Sequence, residues 1–449
     1  MNKYELPHSS RLRSSDFIFG VATSSYQIEG GVAEGGRTPS IWDTFCQKEG
    51  KVDKGENGDI ACNHYHLWQQ DVEMISSLGV DAYRLSIAWP RILPQDGVVN
   101  QEGLKFYEQI IDECHAHGMK VFVTLYHWDL PQYLQDKGGW LNRETAYKFA
   151  DYAEVVSRHF GNKIEVYTTL NEPFVAAFLG YRWGVHAPGI LGEREGFLAS
   201  HHLMLAHGLA MPVLRRNAPK AKHGVVFNAS PAYAHSEKDI GAAKYSEAEN
   251  YHWFIDPVLK GEYPALVTER HFINMPMVLA GDLEIISAPV DYIGINYYTR
   301  NVVRYNESGD IETVTQAESE HTYIGWEIYP QGLTDLLLSL KERYANLPPI
   351  YITENGAAGD DHYLNGEVND EQRVRYFQQH LKALDEAINA GVQVDGYFAW
   401  SLMDNFEWAF GYSQRFGMVY VDYPTQKRTL KQSAIAYKNM LLDRAKETQ

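Results

Sequence analysis

Two glutamates lie at the C-terminal ends of short segments that are rich in β-branched residues. Glu172 lies in residues 169–173 (TLNEP) and Glu354 in residues 352–356 (ITENG), and each precedes a proline or glycine that ends a regular element. Two carboxyl groups facing each other across a cleft can cleave a glycosidic bond. One protonates the leaving oxygen, while the other attacks the anomeric carbon or activates water. From these residues alone, a glycosidase and other barrel enzymes stay equally open.

Polar and aromatic side chains follow two further predicted strands. Residues 126–131 (YHWDLP) come at the end of the third strand, and residues 400–408 (WSLMDNFEW) follow the eighth. In a parallel α/β barrel, catalytic groups lie at the C-terminal ends of the strands. We therefore expect these segments to meet the two glutamates on one rim.

The elements that must position these groups alternate along the chain. The predicted strands are Phe17–Val21, Ala82–Ile87, Val121–Leu125, Val166–Leu170, Gly224–Asn228, Tyr292–Asn296, Ile350–Thr353 and Gly396–Trp400. The helical patterns include Tyr65–Leu78, Leu104–His117, Arg143–His159, Phe197–Arg215, Asp370–Ala390 and Gln432–Arg444. This order predicts the α/β class: a (β/α)8 TIM barrel, forming a single domain over residues 1–449. The alternative is a doubly wound open sheet, which usually carries a G-x-G-x-x-G turn that this chain lacks.

Composition bounds the partners. The net charge of −18 and the pI of about 5.4 argue against nucleic acid or anionic lipid as a binding partner. Three cysteines form no disulfide framework, which favours a reducing compartment. We find neither a signal-peptide segment nor an apolar stretch of the ~18 residues that cross a membrane. The sequence therefore predicts a cytoplasmic protein with no membrane partner, and it indicates no oligomeric state.

Pairs of histidines invite a metal hypothesis. They occur at His64 and His66, at 115 and 117, and at 201 and 202. Adjacent residues and those two apart on a helix do not share a face, and the chain has no H-E-x-x-H motif. We predict no metal and no organic cofactor, because two carboxylates and water complete the hydrolysis.

Several motifs together resemble glycoside hydrolase family 1. Residues 19–30 (FGVATSSYQIEG) resemble the N-terminal signature of that family, and the TLNEP and ITENG segments resemble its acid/base and nucleophile motifs. The similarity keeps the family's order from Phe17 to about Tyr437. The resemblance implies a retaining β-glycosidase, of the bacterial β-glucosidase type, acting on a small-molecule β-glucoside.

The resemblance also implies roles for individual residues. Glu172 would be the acid/base, Glu354 the nucleophile, and Asn171 a partner of the sugar 2-hydroxyl. The other matched positions are Gln27, His127, Glu407 and Trp408 for the remaining hydroxyls, Trp400 beneath the ring, Arg84, Asn296 and Tyr298 beside the nucleophile, and Trp326 on the leaving-group side. In this kind of barrel we expect the two carboxyl groups about 5–5.5 Å apart, the spacing of a retaining enzyme.

Subtypes of the family differ at a few positions. The 6-phosphoglycosidases carry Ser, Lys and Tyr where this chain has Glu407, Gln414 and Phe416. A phosphate needs cations and hydroxyl donors, whereas Glu407 would repel it. The sequence thus predicts hydrolysis of terminal β-D-glucosyl residues, with some β-galactosidase and β-fucosidase activity. The alternatives are a 6-phospho-β-glucosidase and a non-catalytic glycan-binding barrel, which would be expected to lack one or both glutamates. We also expect Phe174 to line the leaving-group side.

Overall fold

The fold is built on a closed barrel of parallel strands. The computed structural model describes residues 3–447 of the chain. The barrel strands are β1 (Ile18–Ala22), β2 (Ala82–Ser86), β3 (Lys120–Tyr126), β4 (Val166–Asn171), β5 (Lys222–Asn228), β6 (Tyr292–Asn296), β7 (Ile350–Asn355) and β8 (Val394–Ala399). Each strand pairs with the next, and Ile18–Val21 of β1 pair with residues 396–399 of β8. This closure confirms the predicted (β/α)8 barrel and rules out the open doubly wound sheet.

Helices connect the strands and cover the barrel. Those of five residues or more are Ile41–Cys46, His64–Ser77, Gln101–Ala116, Glu144–Phe160, Val175–Leu179, Glu193–Asn217, Ile240–Glu247, Ala248–His252, Trp253–Leu259, Ala265–Arg270, Asp282–Ile286, Gln331–Arg343, Glu371–Asn389 and Gln432–Glu447. Four-residue turns of helix occupy Ser25–Ile28, Trp89–Ile92 and Gln132–Gln135. Each predicted helix overlaps one of these, and their ends differ by a few residues. Helix Glu193–Asn217, for example, begins earlier than predicted, at two glutamates that favour a helix N-terminus.

Two small sheets lie outside the barrel. One contains Ala232–Ala234, Asn301–Tyr305 and Ile311–Thr313, and the other pairs Val419–Asp422 with Lys427–Leu430. The barrel itself is filled rather than hollow. The ring of Phe122 lies 5.2 Å from that of Tyr351 and 4.8 Å from that of Phe398, centroid to centroid. This aromatic layer fills the interior of the barrel.

Two sequence predictions need correction. Strand β7 was predicted to end at Thr353, but it runs to Asn355, so Glu354 is held by the strand itself. In addition, helix Glu193–Asn217 is the one described helix with the length and composition to cross a membrane, and 78% of its most apolar window is buried inside the protein. We expected no stretch of that kind. Its apolar run is interrupted mainly by histidines, and these are themselves buried in the core.

Candidate active site

A cavity of about 170 Å³ opens at the C-terminal ends of the strands. The predicted site residues that line it are His127, Glu172, Tyr298, Trp326, Glu354, Trp400, Glu407 and Trp408. The remaining predicted residues, Gln27, Arg84, Asn171 and Asn296, contact this lining through hydrogen bonds. The structure therefore brings together all twelve residues to which the resemblance assigned a role, although not Phe174.

Glu172 lies immediately beyond β4 with φ of 47°, a left-handed value that is rare outside glycine. Its backbone N–H donates to the Val226 carbonyl of β5 at 2.9 Å, which fixes this conformation. Its Oε1 accepts one hydrogen bond, from Asn296 Nδ2 at 2.7 Å. Burial, and then the charge of Glu354, raise the pKa of Glu172 to about 8. Both effects favour the protonated form of this carboxyl.

Glu354 is held by stronger donors. Arg84 Nη1 donates to its Oε1 at 3.0 Å, and the Tyr298 hydroxyl donates to its Oε2 at 2.5 Å. Burial raises the pKa of Glu354 overall, and the Arg84 guanidinium and the Tyr298 hydroxyl offset part of this effect. Because Glu172 has no cation in contact, a proton shared by the two carboxyls resides on Glu172.

Position 356, two residues after Glu354, has room only for glycine. A Cβ atom on Gly356 would lie 1.6 Å from the carbonyl oxygen of Trp400. The adjacent Asn355 side chain donates to the Tyr297 carbonyl at 2.8 Å and accepts from the Tyr397 hydroxyl at 2.6 Å. The loop after β7 is thus pressed against the end of β8, which sets the place of Glu354 relative to Trp400.

The amide of Asn171 has a defined orientation. Its Oδ1 accepts from Arg84 Nη2 at 2.8 Å and from Asn296 Nδ2 at 3.1 Å. Its Nδ2 is left to donate, and His127 Nε2 lies 3.3 Å away. Burial, and then the Arg84 charge, lower the pKa of His127 well below its ordinary value. A neutral ring that accepts at Nε2 carries its proton on Nδ1.

Gln27 and Glu407 also lie close to each other. Gln27 Nε2 donates to the Phe406 carbonyl at 2.8 Å and to Asn405 Oδ1 at 3.0 Å, and it lies 3.5 Å from Glu407 Oε2. Burial, and then the Glu354 charge, raise the pKa of Glu407 to about 8. The arrangement offers amide and carboxyl groups to a ligand rich in hydroxyls.

Aromatic rings form the walls. The ring of His127 stacks on Trp400 at 5.8 Å and on Trp408 at 6.0 Å, with interplanar angles of 14° and 15°. Trp128 and Trp408 both have positive φ, 80° and 51°. Flat apolar faces beside polar groups suit a pyranose, which presents C–H faces and hydroxyl edges. Trp326 packs 5.3 Å from Tyr298 at the outer part of the cavity.

Sequence reasoning missed several lining residues. The main ones are His186, Val175 and Leu179. His186 comes from an irregular loop, and burial lowers the pKa of its ring to about 3. The expectation for Phe174 was wrong, because it packs against Phe178, Trp183 and Phe254 instead of lining the cavity. The chain becomes helical after Pro173, and Val175–Leu179 form a π-helix, so the ordinary α-helical spacing does not predict which of these side chains face the cavity.

A larger opening of about 520 Å³ lies at the N-terminal ends of the strands. Its carboxylates serve the fold: Glu165, for example, accepts from the Val121 backbone N–H at 2.7 Å. This end of a barrel contributes stability rather than chemistry. Within residues 3–447, no group of three or more His, Cys, Asp or Glu side chains is arranged to hold a metal ion.

Comparison with known proteins identifies the family. Residues 9–446 match the model of glycosyl hydrolase family 1. The chain is 46% identical to a beta-glucosidase of Agrobacterium sp. (strain ATCC 21400), over 94% of each chain. It is 43% identical to a bifunctional beta-D-glucosidase/beta-D-fucosidase of Bifidobacterium breve, over 95% of this chain and 97% of that protein. The beta-glucosidase of Thermotoga maritima, solved in complex with castanospermine, superposes with a TM-score of 0.94 and 46% identity, over 96% of this chain and 98% of that one. The chain therefore belongs to glycosyl hydrolase family 1, as the resemblance of its motifs implied.

Proposed function

We propose that this protein is a retaining β-glucosidase in which Glu172 is the acid/base and Glu354 the nucleophile. Its substrates are β-glucosides and short gluco-oligosaccharides such as cellobiose, with some activity on β-galactosides and β-fucosides. The observation that carries the assignment of roles is the unequal distribution of donors. Arg84 and Tyr298 donate to Glu354 and favour its ionised form, whereas Glu172 is buried with no cation in contact and favours its protonated form.

In the first step, Glu354 attacks the anomeric carbon as Glu172 gives its proton to the glycosidic oxygen. The C–O bond to the aglycone breaks, the aglycone leaves as an alcohol, and the sugar is esterified to Glu354. The fixed Nδ2 of Asn171 donates to the sugar 2-hydroxyl, a contact that strengthens as positive charge develops on the ring.

In the second step, Glu172 changes its role. Esterification removes the negative charge of Glu354, which is one of the causes of the raised pKa of Glu172. The pKa of Glu172 therefore falls, and its carboxylate takes a proton from water. The resulting hydroxide equivalent attacks the anomeric carbon on the face vacated by the aglycone. Glu354 leaves as a carboxylate, and two inversions give overall retention.

The cavity favours an unphosphorylated sugar. Among the described residues that line it, none is Lys or Arg, whereas Glu407 and Phe416 are present. A 6-phosphate dianion would meet a carboxyl and an aromatic ring where it needs cations. A non-catalytic glycan-binding role is disfavoured because both carboxyls are present and carry different sets of donors.

Azide trapping tests the two roles. Glu354→Gly should abolish turnover, and azide should restore reaction with formation of the α-glucosyl azide. Glu172→Ala should still form the intermediate from 2,4-dinitrophenyl β-D-glucoside, because that leaving group needs no proton, and azide should then give the β-azide. Glu407→Ala is the matched control: it alters the same cavity but should show no azide rescue. Opposite azide anomers would exchange the two assignments.

The stereochemical course tests the mechanism independently. Proton NMR of early product from the unaltered enzyme should show β-glucose before mutarotation. Release of the α-anomer first would mean inversion, and it would contradict the expected spacing of about 5–5.5 Å between the carboxyl groups.

A further inference from the structure

Hydrogen bonds join Ser25, Ser86 and Asp129 near the C-terminal ends of the first three barrel strands, and we call these three residues the ring. The Ser25 backbone N–H donates to Ser86 Oγ at 2.7 Å, and Ser86 Oγ donates to Ser25 Oγ at 3.1 Å. Ser25 Oγ in turn donates to Asp129 Oδ2 at 2.6 Å. Each hydroxyl has one proton to give: Ser25 Oγ gives its proton to Asp129, and Ser86 Oγ gives its proton to Ser25 Oγ.

Each member of this ring is two residues from a side chain of the candidate active site. Ser25 precedes Gln27 in the one-turn helix Ser25–Ile28. Ser86 follows Arg84 on β2, where a spacing of two puts both side chains on the same face. Asp129 follows His127 in the loop after β3. The ring therefore links three separate chain segments that each carry one site residue.

Burying these polar side chains costs free energy of folding, which a purely structural role does not explain. Ser25, Ser86 and Asp129 are at most 2% exposed, and Asp129 Oδ1 has no hydrogen-bond partner among the described residues. Burial raises the pKa of Asp129 to about 7. A buried carboxylate with a single side-chain donor is less favourable than an apolar side chain of similar volume.

We propose that Asp129, Ser25 and Ser86 are positioning residues that hold Gln27, Arg84 and His127 in register with one another for the terminal sugar. This inference rests on the proposed function, because it takes Gln27 and His127 as groups that bind sugar hydroxyls. None of the three ring residues lines the cavity, so they act through the site residues beside them.

The first test removes members of the ring. Asp129→Ala and Ser25→Ala should each lower kcat/KM for 4-nitrophenyl β-D-glucoside about tenfold to a hundredfold, since small misplacements of binding groups cost up to ~10²-fold. Asp129→Asn keeps an acceptor for the Ser25 hydroxyl and should recover most of the activity. Ser10→Ala is the matched control, because it breaks a buried bond of the same kind, to Asp385, on the N-terminal segment. It should leave kcat/KM unchanged.

A double-mutant cycle separates positioning from loss of structure. If Ser25 acts through Gln27, the loss in Gln27→Ala plus Ser25→Ala should be clearly smaller than the product of the single losses. Multiplicative losses, or Asp129→Asn as damaging as Asp129→Ala, would overturn the inference. Gln27→Ala with unchanged kcat/KM would instead contradict the proposed role of Gln27. Ser25→Ala removes a single hydroxyl and keeps the test available should Asp129→Ala fail to fold.

Discussion

Replacing Tyr298 by Phe should move the acidic limb of the pH–rate profile to higher pH. The Tyr298 hydroxyl donates to Glu354 Oε2 at 2.5 Å, and burial raises the pKa of this tyrosine well above its ordinary value, so that it stays a donor. A hydrogen bond to a charged group contributes about 1.5–3 kcal/mol. Its loss should weaken the ionisation of Glu354 roughly tenfold to a hundredfold, which moves the limb by about one to two pH units.

The assay is kcat/KM for an aryl β-glucoside between pH 4 and 10, because this ratio reports ionisations of the free enzyme. The basic limb, assigned to Glu172 with its pKa of about 8, should move far less. Tyr297→Phe is the matched control. Tyr297 directly precedes Tyr298 in the chain and is also buried. Its hydroxyl donates to the Tyr329 carbonyl instead of a catalytic group.

The two limbs make the reasoning refutable. An acidic limb that stays in place, with kcat lowered across all pH values, would mean that Tyr298 does not support the charge of Glu354. A movement of the basic limb alone would mean that Glu172 is the ionised nucleophile. An equal effect of Tyr297→Phe would attribute the change to packing.

Three further predictions follow from the same cavity. Activity should survive prolonged EDTA treatment and dialysis, and restoration of lost activity by a divalent ion would contradict the two-carboxylate chemistry. Hydrolysis of 4-nitrophenyl β-D-glucoside should exceed that of its 6-phosphate by at least about a hundredfold, because a charged group left unpaired costs several kcal/mol; preference for the phosphate would refute the subtype. Glu407→Gln should lower kcat/KM by up to about tenfold, because the amide offers one acceptor oxygen where the carboxyl offers two and a neutral hydrogen bond contributes about 0.5–1.5 kcal/mol. The same substitution should also raise Tm more at pH 9 than at pH 5. Because folding raises the pKa of Glu407 from 4.5 to about 8, ionisation of Glu407 favours the unfolded state increasingly as the pH rises from about 4.5 to about 8. Glutamine does not ionise, so the substitution removes this penalty. Calorimetry at both values measures this, and an equal change in Tm at the two would contradict the raised pKa.

Much of the fold follows from local sequence signals. The β-branched segments predicted all eight strands, because barrel strands are buried on both faces and read as continuous apolar runs. Their ends were less predictable. Strand β7 continues through Glu354 and Asn355, whose polar side chains are typical of a loop, because Asn355 is bonded to Tyr297 and Tyr397. The single domain over residues 1–449 and the cytoplasmic location stay predictions.

The candidate site was predictable where a motif marked it, and not where only tertiary packing did. Glu172 and Glu354 lie in short segments that sequence alone singles out. His186 reaches the cavity from a loop without such a pattern, and Phe174 turns away because the chain becomes helical after Pro173. The bond between Ser25 and Asp129 joins residues 104 positions apart, and no spacing rule connects them.

Backbone strain and buried carboxyls with raised pKa values occur together at the C-terminal rim of the barrel. Trp128, Glu172 and Trp408 have positive φ, a state that costs about 1–3 kcal/mol for each residue other than glycine. Glu172 and Glu407 add buried carboxyls with raised pKa values. The large hydrophobic core of the protein offsets these costs. Catalysis needs a proton on one carboxyl and no proton on the other. Substitutions that removed the strain and the burial at this rim would also remove the differences in environment between Glu172 and Glu354.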